Sequence, residues 1–272
     1  MTTQTTKGPI EGYTQAAPKV TRDGDTVTID AQSIYYKYVN EAVRSAFAEG
    51  AKKVVIDNVN GQRYIGTGIR GKGLEIVVHG TPGQDMAMFM DGPRLEVFGN
   101  AQDGVGNTMN SGIVIVHGSA GDVLGYGMRG GKVFIKGDVG YRVGIHMKAY
   151  EDLRPIMVCG GKARDFFGEY MAGGLLVLLG MNSTLEGPVV GGYLGTGMHG
   201  GTIYVRGEVE PWQCGKEVGV FEASEEDMVE LKPVLAEYCE AVDMDLDEVL
   251  ASRFTKLVPV SHRPYGKLYT YV

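Results

Sequence analysis

Between Glu75 and Arg206 the chain alternates short apolar runs with glycine-rich polar breaks, and each run ends in a glycine: Gly80, Gly99, Gly118, Gly137, Gly160, Gly180 and Gly207. The steps between them are 19, 19, 19, 23, 20 and 27 residues. Two positions before each glycine stand Val78, Val97, Val116, Ile135, Val158, Leu178 and Val205; four before stand Ile76, Leu95, Val114, Val133, Ile156, Leu176 and Ile203. Both columns are aliphatic throughout. The position just before the glycine is mixed (His79, Phe98, His117, Lys136, Cys159, Leu179, Arg206), so the alternation has the period of two of a strand with one buried face. A second marker keeps the same beat, with Met90, Met109, Met128, Met147, Met171 and Met198 each preceding the terminal glycine of its coil.

A strand that recurs every nineteen residues leaves no room for a crossover helix, so it can meet its next copy only by winding around in parallel. The pattern predicts an all-β solenoid, a parallel β-helix of about seven coils with the aliphatic columns stacked inside. Glycine pairs such as Gly130-Gly131, Gly173-Gly174 and Gly200-Gly201 supply corners at positive φ. A propeller blade needs about 40 residues, and a hexapeptide helix shows a six-residue beat that is absent here.

A solenoid exposes its core at both ends and needs covers there. Residues 1–60 are expected to form an N-terminal strand, helix and strand cap: Val39, Ala42, Val43, Ala46 and Phe47 follow helical spacing after Ser33 as N-cap, and Gly50 ends the helix before a strand at Val54 to Ile56. Residues 61–212 form the coils, and 213–272 a C-terminal helical cap and tail, whose helices are expected to cover the back end or to form a partner-facing appendage. There Ser224 with Asp227 reads as a capping box, with apolar stripes at Leu231, Leu235, Tyr238, Val242 and at Leu246, Val249, Leu250, Phe254. Pro233 is expected to kink the first of these helices or delay its start.

Composition agrees with many tight turns around a real core: 42 glycines, 10 prolines and 43% hydrophobic residues. A net charge of −7 without a lysine and arginine cluster argues against nucleic acid as a partner. Cys159, Cys214 and Cys239 are odd in number and widely spaced, as expected of reduced thiols in a cytoplasm. Met1 to Ile10 has no apolar run for a signal peptide, and no stretch reaches the ~20 apolar residues of a membrane span.

Several motifs resemble chemistry. Gly66-Thr67-Gly68-Ile69-Arg70-Gly71, Gly125-Tyr126-Gly127-Met128-Arg129-Gly130 and Gly195-Thr196-Gly197-Met198-His199-Gly200 match the spaced glycines of a dinucleotide fingerprint. In that fingerprint the glycines follow a strand and open a helix, whereas here each precedes a strand and recurs with the coil, so they are expected to be turns. His79 and His117 share a column about 9.6 Å apart at the strand spacing, with Phe98 between them, too far for one metal ion. His146 and His199 lack carboxylates or cysteines at ligand spacing, and Arg142, Arg154, Arg164 and Asp165 are read as a solvated corner. No catalytic, cofactor-binding or metal-ligating residue is predicted. Two coils are longer than the beat requires, through Lys148 to Arg154 and Ser183 to Pro188. Insertions of this kind often form a binding face, which makes Tyr150, Arg154 and Glu186 candidate partner-docking residues.

Over roughly residues 54 to 212 the chain resembles the glycine-repeat (GXGXG) domain at the C-terminal end of the glutamate synthase large subunit, as a free-standing version. The resemblance rests on Asn60-Gly61-Gln62-Arg63-Tyr64-Ile65-Gly66, Gly99-Asn100-Ala101-Gln102-Asp103-Gly104-Val105-Gly106 and Gly125-Tyr126-Gly127-Met128-Arg129-Gly130-Gly131. It implies a right-handed β-helix without catalytic residues, a structural subunit of a complex that moves glutamine nitrogen to 2-oxoglutarate. It further implies partners: an amidotransferase subunit and a synthase subunit with FMN and an iron–sulfur cluster. The same repeat resembles the scaffold subunit of formylmethanofuran dehydrogenase and subunits of other glutamate-synthase-like enzymes, which is the alternative. A carbohydrate-active β-helix would need acids on the outer strand face, where only Glu96 stands.

Overall fold

The computed structural model describes residues 12–260; Met1 to Ile10 and the last part of the C-terminal tail lie outside the described residues. The described strands join in one sheet: β1 (Lys19–Asp23), β2 (Thr26–Asp30), β3 (Lys53–Asn60), β4 (Glu75–Thr81), β5 (Asp91–Phe98), β6 (Ser111–Val116), β7 (Lys132–Ile135), β8 (Ile156–Cys159), β9 (Ala172–Leu178), β10 (Gly200–Arg206), then β12 (Phe254–Pro259) and β11 (Val218–Glu222). Every pair from β2 to β10 is parallel, and the pairs at either end are antiparallel. The chain is a β-helix, with the predicted coils as rungs β4 to β10 enclosing about six full turns. Side chains on alternate strand positions enter its core. Ile76, Leu95, Val114, Val133, Met157, Leu176 and Ile203 align in one column and are fully buried.

One rung departs from the expected register. Met157 and Cys159 point inward and Ile156 and Val158 outward, because the fifth coil closes at Gly161 rather than Gly160: the Gly161 N–H reaches the Gly137 carbonyl at 2.9 Å and the Gly180 N–H reaches Gly161 at 3.0 Å. The insertion before this rung carries one residue more than counting to the first glycine of the Gly160-Gly161 pair implies. A slip of one residue turns every side chain of a strand to the other face.

The wall opposite the sheet is a stack of left-handed corners. In the coil that leads into β4, Tyr64, Gly66 and Gly68 all have positive φ, and the same three positions repeat up the rod, ending at Tyr193, Gly195 and Gly197. The middle position shows why glycine recurs. A Cβ at Gly66, Gly125, Gly144 or Gly168 would lie 2.4 to 2.7 Å from the core side chain facing it (Leu95, Met157, Leu176, Ile203). In the second coil Ala87 holds this place at φ 59°; by the same offset it faces Val114, which is shorter than Leu or Met. Side chains add two polar ladders between coils. Asn100 Oδ1 accepts the Ser119 N–H at 2.9 Å, Ser119 Oγ the Asp138 N–H at 3.1 Å and Asp138 Oδ1 the Lys162 N–H at 2.7 Å. Asp103, Asp122 and Asp165 do the same for Asp122, Tyr141 and Gly192, each at 2.8 Å.

At the front, α1 (Tyr36–Ala48) buries Val39, Val43 and Ala46 against β2 and β3. Its N-cap is Tyr35 without a side-chain bond, and Ser33 is instead a left-handed residue two positions earlier. At the back, the end of the rod is covered by β12, antiparallel to β10, with β11 beyond it, rather than by helices. Phe254, assigned from sequence to a helical stripe, opens β12. The helices α2 (Glu225–Val242) and α3 (Leu246–Leu250) lie along the outer side of the sheet instead, α2 running through Pro233. There Leu231, Leu235, Tyr238 and Val242 form a second core with Ile115, Phe134, Val158, Val177 and Tyr204. The Tyr238 hydroxyl donates to the Ile135 carbonyl at 3.1 Å.

The predicted capping box forms at Ser224 and Asp227. Asp227 does more, accepting from the Tyr204 hydroxyl at 2.8 Å and from Lys256 Nζ at 2.6 Å. Partial burial alone would raise its pKa, but the bonds from Lys256, Ser224 and Tyr204 outweigh it and hold the carboxyl well below the usual range. A depressed carboxylate pKa contributes stability that is present above the ordinary value near 4 and is lost as pH falls through the lowered one. Asp227→Ala is therefore expected to lower the urea midpoint at neutral pH, equivalent to about 2 kcal/mol, with the deficit against wild type shrinking below about pH 4. A deficit of equal size across that range would show that the carboxylate charge is not what holds α2.

Candidate functional site

The three glycine fingerprints are corners of the rod. Each leads into a strand and opens no helix, and Gly66, Gly68, Gly125, Gly127, Gly195 and Gly197 all have positive φ. His79 and His117 lie on the outer face, with Nδ1 of His79 at 2.6 Å from Asp57 and Nε2 of His117 at 2.8 Å from Glu96. Phe98 stands between them, stacked on the His117 ring at 4.6 Å. Partial burial would raise the Glu96 pKa, but His117 and Arg94 outweigh it and the carboxyl stays charged. Among the described residues no group of three or more His, Cys, Asp or Glu is placed to hold a metal ion. Cys159, Cys214 and Cys239 are free thiols. Burial pushes all three pKa values up, that of Cys214 to about 11, so they stay protonated.

The insertion residues have unequal surroundings. Tyr150 is exposed on a tight turn closed by paired backbone bonds with Leu153, at 3.0 and 2.9 Å. Arg154 is held in an ion pair with Glu230 of α2, so it ties the insertion to the helix. Glu186 is exposed on a loop that Lys162 Nζ braces through the carbonyls of Leu185 and Gly187 at 2.7 and 2.6 Å.

The densest set of exposed aromatic groups lies elsewhere, on the corners of the last four coils. Tyr126, His146 and Tyr170 meet across successive coils, the first pair edge to face with ring centroids 5.7 Å apart and the second stacked at 5.2 Å. Beside them Tyr193 stacks on Phe166 at 4.8 Å, and the Arg142 guanidinium covers that ring at 4.3 Å while pairing with the buried Glu169. At the end of this face a cleft of about 490 Å³ opens between Tyr193 and Trp212, lined also by Thr196, Cys214, Lys216 and Glu217. Trp212 is 78% exposed, and the buried Thr196 Oγ1 has no hydrogen-bond partner among the described residues. Read as turns, the glycine fingerprints give no hint of the rings beside them. The signal lies one or two residues after the first glycine of each corner, where Tyr126, His146 and Tyr170 stand one or two places before Met128, Met147 and Met171.

A parallel β-helix closed by left-handed glycine corners defines a class of coil-built solenoid domains. The chain belongs to the GXGXG motif family, which it matches over residues 37–261. It is also similar to an uncharacterized protein of Methanocaldococcus jannaschii, 49% identical over 253 residues that cover 90% of this chain and 97% of that protein. Among the described residues no helix is long and apolar enough to cross a membrane.

Proposed function

We propose that this chain is the non-catalytic scaffold subunit of a split glutamate synthase, holding an amidotransferase subunit against a second one that bears FMN and an iron–sulfur cluster. Catalysis then belongs to those partners, which form glutamate from glutamine and 2-oxoglutarate. Membership of the GXGXG motif family supports the reading. The observation that carries it is the employment of the buried polar side chains, Gln62, Glu169, Gln213 and Thr255, in joining segments of the rod. Gln62 Nε2 donates to Ala31 and Ile34 at the front, at 2.8 and 3.1 Å. Gln213 Nε2 donates to Val190 at the back, at 2.9 Å, and Thr255 Oγ1 to Gly207 at 2.6 Å. Glu169 pairs with Arg142. Buried polar groups are where an enzyme of this size would keep its acids and bases; here they hold coils together. Tyr150 and Glu186, exposed on braced insertions, fit a partner-docking role, with Arg154 positioning the first of them. Free thiols fit a reducing cytoplasm.

The test is isolation of the complex through a tag on this chain, identification of the bound subunits by mass, and assay of glutamine-dependent glutamate formation. Amidotransferase and flavin subunits should copurify and the isolated chain should be inactive. Recovery of molybdopterin or tungstopterin subunits instead would move the assignment to a formylmethanofuran dehydrogenase-like complex.

A further inference from the structure

We propose that the corner face of the last four coils, from Tyr126 to Trp212, docks a catalytic subunit whose contacting surface is acidic and which inserts an apolar side chain into the cleft between Tyr193 and Trp212. This rests on the scaffold reading and adds the surface and the chemistry of its partner.

The first argument is rigidity. Tyr193 is fixed by the Phe166 ring at 4.8 Å with 8° between planes, and that ring is in turn fixed by Arg142. His146 and Tyr170 are likewise stacked, at 16°. Exposed tyrosines held this way lose little freedom on binding, and tyrosine, tryptophan and arginine are the residues on which interfaces depend most. Trp212, the one tryptophan of the chain, is left 78% exposed. A small molecule needs most of its surface covered, which so open a wall does not provide; a side chain on a protein surface brings its own cover.

The second argument is charge. The acids of this face are engaged from within: Asp122 and Asp165 accept backbone N–H groups, Glu169 pairs with Arg142, and Glu217 accepts the Gly197 N–H. The exposed cations are not. Arg129, Lys148, Arg164 and Lys216 make neither an ion pair nor a side-chain hydrogen bond among the described residues. Arg129 and Lys148 occupy one column in adjacent coils, since their N–H groups bond the carbonyls of Met109 and Met128, and so stand about one strand spacing apart. Lys216 lines the cleft itself. Two exposed acids, Glu151 and Asp152, follow Lys148 on the insertion. A chain of net charge −7 that leaves these cations free beside stacked aromatic rings complements an acidic partner. Thr196 Oγ1, buried beside the cleft without a partner, offers the incoming segment a hydrogen bond.

The experiment uses the tagged full-length chain, with its partners first identified by mass from the wild-type complex. Trp212→Ala with Tyr193→Ala, and separately Arg129→Glu with Lys148→Glu, should each reduce the recovered partner by more than about tenfold while leaving the thermal transition in place. Trp212→Phe and the remote Phe98→Ala should retain it, and wild-type recovery should fall with added salt. Lys216→Glu, an exposed single change, serves where a double variant does not fold. Wild-type recovery by the folded variants overturns the docking face. Amidotransferase and flavin subunits recovered undiminished with Trp212→Ala would keep the glutamate synthase reading and remove this surface. Different identified subunits, still released by Trp212→Ala, would keep the surface and remove that reading. Nucleic acid in the wild-type eluate, released by the Arg129 and Lys148 changes, would overturn the protein partner.

Discussion

Val133→Asp is expected to destabilise the chain by about 4 kcal/mol or more, enough to leave much of it unfolded at moderate temperature. Val133 is fully buried on β7 and lies in register between Val114 and Met157 of the neighbouring coils. The corner behind it is also closed, because a Cβ at Gly106 would already come within 3.0 Å of a Val133 methyl. A carboxylate there has no cation and no free donor, and the two adjacent rungs cannot separate to admit water without breaking their own hydrogen bonds. The penalty falls on the charged form, so the variant's carboxyl pKa rises in the folded state. Its deficit should therefore shrink as pH is lowered and the carboxyl takes up a proton. Urea denaturation of both proteins at neutral and mildly acidic pH measures this; a deficit under about 1 kcal/mol would show that the β7 side chain does not face the core.

What the sequence revealed and what it hid follow from the same feature. A solenoid repeats its environment every coil, so Ile76, Leu95, Val114 and Val133, or Met90 through Met198, announce a column that a single strand could not. Conformation at the corners is also repeated, but it is fixed by backbone bonds between coils, such as that from the Arg142 N–H to Asp165 at 3.0 Å, and not by residue type. Tyr64, Val123, Arg142, Phe166 and Tyr193 therefore share a left-handed position that only glycine would have advertised. The Phe166–Tyr193 stack grows from this position, and His146 and Tyr170 from another left-handed position four residues further on, which is why the corner face was not legible while the core was.

At the C-terminus, Phe254 fell on the helical period of Leu246 and Leu250. Its strand exists because β10 leaves an open edge, which β12 covers through four residue pairs from Ile203–Leu257 to Arg206–Phe254. That demand is set by the far end of the rod and leaves no mark in the local pattern. The polar ladders are an intermediate case. Asp103 and Asp122 are nineteen apart, yet their bonding needs the backbone of the next coil as well as the spacing.

The fifth coil offers the most direct test of how the fold reads its own sequence, through a pair of neighbouring substitutions with opposite expectations. Counting from the first glycine of the pair makes Ile156 the core residue, and the hydrogen-bonded register makes it Met157. Met157 is fully buried between Val133 and Leu176, with its methyl 2.6 Å from where a Cβ at Gly125 would stand. Met157→Asp should cost about 4 kcal/mol, for the reasons that apply at Val133. Ile156 faces outward at the margin of the α2 contact and pairs in register with Lys132, whose ammonium already meets Glu237. Ile156→Asp keeps access to solvent and gains a neighbouring cation, so it should cost about 1 kcal/mol, the apolar contact with α2 being the main loss. Thermal and urea transitions of the two variants compare them directly. A larger loss at Ile156 than at Met157 would return the rung to the count from Gly160, and with it would turn Val158 and Cys159 to the opposite faces.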